Sequence, residues 1–364
     1  MRTSYLVLGL FLISSANLAF TDSVSIVDDD GEVFELTTYA TVPNARQLAQ
    51  TESGILFVGS RFRNTSIHAI DPNNPEEPVA VGTGLTMPSG LALLDGDLYV
   101  AAHNRILKYE NIEEHYKESP EPVLISDELP SAWHHGWKYL SIGPENFLYF
   151  NVGAPCNICL REEEIYATIV KMDPENGDSE VYAHGVRNSV GSAWHPITKK
   201  MWFSDNGGDN LGDDIPPEEI NVVDQPGSHY GYPFIHGDDY EDPTYGERQP
   251  EDFEYVKPVV KIQAHSAALG IAFYTGNQFP DKYKNALFIA ERGSWNRTSK
   301  VGYRVSVVLF ENDKPTYKPF IDIWLDGDEY SGRPNDVLVA NDGSLLIADD
   351  FAGKIYQVRY KGSD

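Results

Sequence analysis

Six short stretches decide the fold: ESGILFVGS (52–60), DGDLYVAAH (95–103), PENFLYFNV (144–152), TKKMWFSDN (198–206), KNALFIAER (284–292) and DGSLLIADD (342–350). Each opens on turn-forming or polar residues, continues through a short apolar run and ends on small or polar residues. Short apolar runs bounded by turn signals mark strands covered on both faces. A strand-like segment precedes every copy: ARQLAQ, SGLALL, WKYLSIG, VGSAWHP, LGIAFY and NDVLVA. Most copies are followed by another, such as SIHAID, RILKYE, TIVKMD, VSVVLF and KIYQVRY. Val, Ile, Tyr and Phe are frequent in these runs, and DPNN, PENG and ENDK separate them. No long stretch carries a capped helical period. Repeated groups of three or four short strands predict an all-β chain, folded as a six-bladed β-propeller.

The copies average about 57 residues apart, longer than the usual propeller repeat. The widest gap lies between the fourth and fifth. It holds DNGGDNLGDD (205–214) and the segment to Tyr255, a length that points to a functional loop ordered by a ligand or an ion.

The N-terminus reads differently. Arg2 precedes an apolar run from Tyr5 to Ile13, then Ser14, Ser15, Ala16 and Ala19. This is the pattern of a secretory signal peptide over residues 1–20, and the run is too short for a membrane span. The propeller is therefore expected over 24–362, in an extracellular or periplasmic protein. Acidic residues number 55 against 28 basic ones, a net charge of −27. Such a surface repels nucleic acid and anionic membranes. Cys156 and Cys159 are the two cysteines. Export favours a disulfide between them, although a CxxC can also be a redox motif. Asn64 and Asn296 stand in glycosylation sequons.

In a propeller the first strand of each blade lines the central channel. Residues at its start gather at one mouth: here Arg46, Ser89, His134 with His135, Arg187 with Asn188, Ser266 and Arg333. Arg292 and Arg297 follow the second strand of the fifth blade. Like charges converging on one volume are costly without an anion, and arginine suits bidentate carboxylate recognition. A ligand with several carboxylates, or a phosphate, is one reading. Structural salt bridges to Asp336, Asp205 or Glu291 are the other. The loop around Gly207 and Gly208 can turn carbonyls towards a cation, though it lacks EF-hand spacing. Glu218, Glu219, Asn221 and Tyr230 are candidate ligands of a second ion.

Taken together, HGVRNSVGSAWHP, SDNGGDNLGDDIPPEEIN, AHSAALGIAFYTG, RGSWNR and GRPNDVLVANDGSLLIADDFAGKIYQVRY resemble the L-sorbosone dehydrogenase branch of the pyrroloquinoline quinone (PQQ)-dependent sugar dehydrogenases. The resemblance spans about Ala45 to Tyr360. It implies a six-bladed propeller with PQQ and Ca²⁺ at the channel mouth, where C1 of an aldose or sugar aldehyde passes hydride to quinone C5. It implies His135 as general base, with His134 the adjacent alternative, and an ordinary histidine pKa near 6.5 suits that task. It further implies that Arg187 and Asn188 contact the quinone and that Arg333 binds a carboxylate, with Arg292 and Arg297 as further basic contacts; Arg46, by its place at the mouth, is a further cofactor-binding candidate. Carbonyls of Gly207 and Gly208 would hold the quinone-bound calcium, and Glu219 and Tyr230 a structural one. Electrons would leave to an external cytochrome or quinone.

Two departures stand out. AERG replaces a Lys-Arg-Gly sequence of the glucose enzymes, which puts Glu291 where a base is usual. HHGWKYL lacks the arginine usual after the histidine, with Lys138 as its substitute. Trp133, Trp137 and Tyr303 are candidates for a sugar-stacking wall or for packing between blades. A calcium-dependent lactonase, and a propeller binding module without quinone, are the alternative functions.

Overall fold

A computed structural model describes residues 23–312 and 314–363; the expected signal peptide lies outside them. An antiparallel sheet forms around each repeat copy, with strands paired in chain order from the centre outwards. The first blade holds Ala45–Gln50, Leu56–Ser60, Thr65–Ile70 and Val79–Leu85. The second holds Pro88–Leu94, Asp97–Ala102, Arg105–Tyr109 and Val123–Ser126. Leu140–Ile142, Leu148–Val152, Thr168–Met172 and Ser179–His184 make the third. Ser192–Trp194, Met201–Asp205, Glu218–Val222 and Val260–Ile262 make the fourth. The fifth contains Ala268–Phe273, Leu287–Glu291, Arg304–Glu311 and Lys314–Ile321. In the sixth, Pro334–Val339, Leu345–Asp349 and Lys354–Ser363 are joined by Glu32–Thr41 and Val24–Val27 from the other end of the chain. The expected six-bladed propeller is the fold. Pairing of Glu32–Thr41 with Lys354–Ser363 joins the two ends of the chain in one blade and so closes the ring.

Second strands open on an apolar run and are buried along their length because both faces are covered. Leu56–Ser60, Leu148–Val152, Met201–Asp205, Leu287–Glu291 and Leu345–Asp349 are buried throughout. Six apolar clusters occupy the interfaces between neighbouring blades. The cluster between the fifth and sixth is the most aromatic. Phe34 meets Phe279 at 4.9 Å, Phe320 at 5.1 Å and Tyr283 at 5.7 Å, all edge-on. Such pairs each add about 0.5–1.5 kcal/mol beyond area burial.

Polar cross-links tie the inner strands across the channel. Gln47 of the first blade accepts from the Leu91 and Leu140 amides, both at 2.9 Å, and donates to the Leu140 carbonyl at 2.6 Å. Asp336 accepts from the Leu48 amide at 2.7 Å and the Tyr139 hydroxyl at 3.1 Å, joining the sixth blade to the first and third. Close backbone approach is part of this design. A Cβ on Gly191 would overlap the carbonyl oxygen of Leu269 on the next blade. Gly191→Ala is therefore expected to lower stability by about 1–3 kcal/mol through overpacking. Urea unfolding checks this, and an unchanged midpoint would contradict the close approach.

The long fourth-blade insertion is organised by its own contacts. His236 and Asp242 pair at 3.0 Å, and Asp242 also accepts from the amides of Thr244 and Tyr245. Phe234, Phe253 and His229 pack together. The Gly237 amide is anchored to Glu219.

Candidate functional site

Every second strand ends at the same mouth of the channel. The residue just beyond it is Arg61, His103, Gly153, Asn206, Arg292 or Asp350 in blades one to six. The expected inner-strand residues Arg46, His134, His135, Arg187 and Asn188 join Arg61, Asn206 and Arg292 around a cavity of about 300 Å³. That volume is at the lower end for small-molecule sites.

The organising charge is Asp350, whose side chain is 0% exposed. Four guanidiniums converge on it: Arg46 at 3.5 Å, Arg61 at 2.9 Å, Arg292 at 3.0 Å and Arg333 at 2.9 Å. Burial raises the Asp350 pKa, but these arginines, Arg292 foremost, outweigh it and hold the carboxyl below its usual range. Burial conversely works against the charges of Arg46 and Arg292. Four cations sharing one anion leave an excess of three positive charges. The three acids named from sequence as possible partners have other tasks. Asp205 accepts the backbone amides of Arg187 and Asn188 at 2.8 and 2.6 Å. Asp336 cross-links inner strands. Glu291 pairs with Arg304 at 2.9 Å and accepts from Ser306 and Tyr317, away from the cavity.

The adjacent histidines differ. His135 is partly buried, and its Nδ1 lies 2.8 Å from the Ala154 carbonyl. A carbonyl only accepts, so Nδ1 carries the proton and Nε2 presents a lone pair. Burial, then the charge of Arg187 and the neighbouring His134, push the His135 pKa well below 6.5. The ordinary value expected from sequence is thus corrected downwards: the imidazole is neutral at physiological pH. His134 is exposed, its ring 4.1 Å from that of His135.

Arg187 is buried and held tightly. It donates to the Asn157 carbonyl at 2.8 Å, Asn157 Oδ1 at 2.8 Å, the Asn206 carbonyl at 2.9 Å and Asp209 at 3.3 Å. Gly207 lines the cavity, whereas Gly208 packs against Ile158. Glu218 also lines it and accepts from the amides of Gly207 at 2.8 Å and Ala267 at 3.1 Å. Glu219 and Tyr230 border a second cavity of about 10 Å³ with Asp205 and Gly207. Their polar atoms are occupied: Glu219 accepts from Asn221 and Gly237, and Tyr230 donates to the Val222 carbonyl. Burial pushes Glu218 and Glu219 up to about 8 and Asp205 up to about 6. Among the described residues, no group of three or more His, Cys, Asp or Glu is arranged to hold a metal.

Other expected residues lie off the cavity wall. Arg297 is held by the Asp213 carbonyl and by Asp214 at 2.8 Å, and does not line the cavity. Arg333 reaches the site only through Asp350. Lys138 is buried with Nζ on the Gly136 carbonyl at 3.3 Å, and burial pushes it down to about 8. Ser89 links to the Lys138 backbone, while the Ser266 hydroxyl is buried without a partner. Of the aromatics, Trp137 lines the cavity. Trp133 stacks on His103, and Tyr303 on Tyr330. Sequence reading missed Arg61, Asp350 and Trp295; the last lines the cavity while 76% exposed. Asn296 beside it and Asn188 carry buried amide atoms without partners at the cavity wall. Cys156 and Cys159 form the disulfide expected of an exported chain.

The six-bladed propeller can be set beside known proteins. Residues 162–357 match the glucose/sorbosone dehydrogenase family model, and the chain belongs to that family. An uncharacterized protein of Borreliella burgdorferi is 33% identical over 371 residues, covering 98% of this chain and 97% of its own. The holo pyranose dehydrogenase PQQ domain of Coprinopsis cinerea superposes with a TM-score of 0.75 at 18% identity, over 93% of this chain and 97% of that one. A calcium structure of a Trichoderma reesei carbohydrate-active enzyme of family AA12 gives 0.75 at 18%, over 95% and 100%. The PQQ-bound aldose sugar dehydrogenase of Streptomyces coelicolor gives 0.65 at 19%, over 90% and 98%. These structures share the fold.

Proposed function

We propose that the chain is an exported, PQQ- and calcium-dependent dehydrogenase that oxidises an aldose or sugar aldehyde. The observation that carries this reading is the excess of positive charge around Asp350 beside a neutral His135. PQQ bears three carboxylates, equal to that excess. The unpartnered amide atoms of Asn188 and Asn296 fit a polar, planar ligand. Arg46, Arg61 and Arg292 would hold its carboxylates, backed by Arg333 through Asp350. Calcium would draw on backbone carbonyls at Gly207 and Gly208; among the described residues no side-chain cluster of His, Cys, Asp or Glu is arranged for it. Burial favours the protonated form of Glu218 beside Gly207, and a cation bound there would reverse that preference and hold it as the carboxylate. A structural ion at the small cavity would be bordered by Glu219 and Tyr230, whose side chains would have to exchange their present hydrogen bonds for it. Arg297 is a more distant contributor to the same basic field.

When bound, the quinone accepts a hydride from C1 of the sugar. The chain's part is orientation and proton transfer. His135 Nε2 takes the C1 hydroxyl proton while the Ala154 carbonyl holds the ring in the required tautomer. Arg187 supplies fixed positive charge where negative charge grows. The product is a lactone or an acid, and electrons leave to a separate cytochrome or quinone.

Arg187→Ala should weaken PQQ binding about 10- to 100-fold, the worth of one charge-assisted hydrogen bond. Titrating the apo-protein with PQQ in Ca²⁺ measures this; unchanged affinity removes Arg187 from the site. A binding module without quinone would be favoured if Glu291 put a negative charge in the site, but Glu291 turns towards Arg304. The lactonase alternative calls for fewer cations at the channel mouth than Arg46, Arg61, Arg187 and Arg292 supply.

A further inference from the structure

The segment leaving the second strand of the third blade touches both proposed reaction residues. The Ala154 carbonyl orients His135, and the Ala154 amide donates to the Arg187 carbonyl at 2.8 Å. Three residues on, Asn157 turns two oxygens onto one guanidinium: its carbonyl takes Arg187 Nε and its Oδ1 takes Nη2, both at 2.8 Å. The same amide side chain clamps the glycine loop. Oδ1 accepts from the Asp209 amide, and Nδ2 donates to the Asp209 carbonyl, both at 2.9 Å. Asn157 sits inside the ring closed by Cys156 and Cys159. That ring is pinned from below by the Tyr232 hydroxyl, which accepts from the Cys159 amide at 2.9 Å.

We propose that Asn157, presented by the Cys156–Cys159 disulfide loop, is a positioning residue that fixes Arg187 against His135 and locks the Gly207–Asp209 loop to it. A disulfide stabilises the whole fold more as its loop lengthens; this one spans a sequence separation of 3. Its main effect is therefore local. It restricts a loop whose backbone and side-chain oxygens must converge on one guanidinium. The catalytic consequence rests on the dehydrogenase reading, but the positioning does not.

The test follows His135 itself. Arg187, His134 and Lys138 are the charged or titratable groups acting on its ring, with the Ala154 carbonyl. If Asn157 holds Arg187 in place, its loss lets that cation move away and the His135 titration midpoint rises. Nitrogen-15 histidine spectra of the full mature chain, without PQQ and with His135→Gln for assignment, would record the midpoint. Asn157→Ala and the Cys156→Ser/Cys159→Ser double variant should each raise it by about one unit, the scale of one nearby charge. Ile158→Ala, which changes the same loop but removes none of the hydrogen bonds to Arg187, should leave it in place. An unchanged midpoint in Asn157→Ala overturns the proposal. A rise there but none in the double variant overturns the part given to the disulfide. If the midpoint rises as expected and the wild-type chain oxidises no sugar, the positioning stands and the dehydrogenase reading fails.

Discussion

His135→Gln is expected to lower turnover by roughly 10²–10⁴-fold, the usual contribution of a general base, with PQQ affinity little changed. Glutamine keeps a polar side chain but has no lone pair basic enough to take the hydroxyl proton. His134→Gln should cost far less, because that ring is exposed and lacks the Ala154 anchor. The reverse ranking would move the base to His134. The pH profile follows from the same environment. Burial and Arg187 hold the His135 pKa well below 6.5, so the competent neutral form persists as pH falls past that value. The acid limb of kcat/KM should therefore lie below pH 6.5, and a limb at or above it would contradict the depressed value. Stability has the matching sign. The unfolded chain accepts a proton near 6.5 and the folded site does not, so this residue's contribution is present above that pH and is lost as pH falls through the folded value.

Asp350→Asn should be the most damaging substitution of a charge. The variant keeps the shape and removes the one anion shared by Arg46, Arg61, Arg292 and Arg333. Breaking a buried ion pair typically costs about 3–5 kcal/mol, and here four cations lose their partner together. Urea unfolding should show a loss of about 3 kcal/mol or more. Asp224→Asn is the control: its 2.6 Å pair with Lys200 is solvent-exposed and should contribute about 0–1 kcal/mol. Equal small losses in the two variants would mean that Asp350 does not organise the cluster.

Much of this was legible in the sequence, for physical reasons. The second strands read clearly because burial on both faces demands an unbroken apolar run bounded by turns. The inner strands read less well, and Leu140–Ile142 and Ser192–Trp194 are shorter than the segments WKYLSIG and VGSAWHP suggest. Their polar cross-links and close-packed glycines dilute the apolar signal. Closure of the ring by Glu32–Thr41 was not visible, since nothing local tells a strand that its partner lies more than three hundred residues away. Arg46, His135 and Arg187 were found because inner strands start at the channel mouth. Arg61 and Asp350 were missed although the repeat itself locates them, immediately after the second strand, in the position Arg292 takes in the fifth blade. An aspartate in a run of acidic residues looks ordinary until the arginines around it are seen. The network through Asn157 is legible only in three dimensions.

The most direct test is spectroscopic. The protein would be stripped of metal with a chelator and given Ca²⁺ and PQQ. Its absorption spectrum would be recorded before and after a panel of aldoses and L-sorbosone. A spectrum distinct from free PQQ that bleaches with at least one sugar is the expected result, and it would name the substrate class. A spectrum identical to free PQQ, with no rise in thermal stability, would contradict the quinone-dependent reading and leave the arginine cluster to serve another anion.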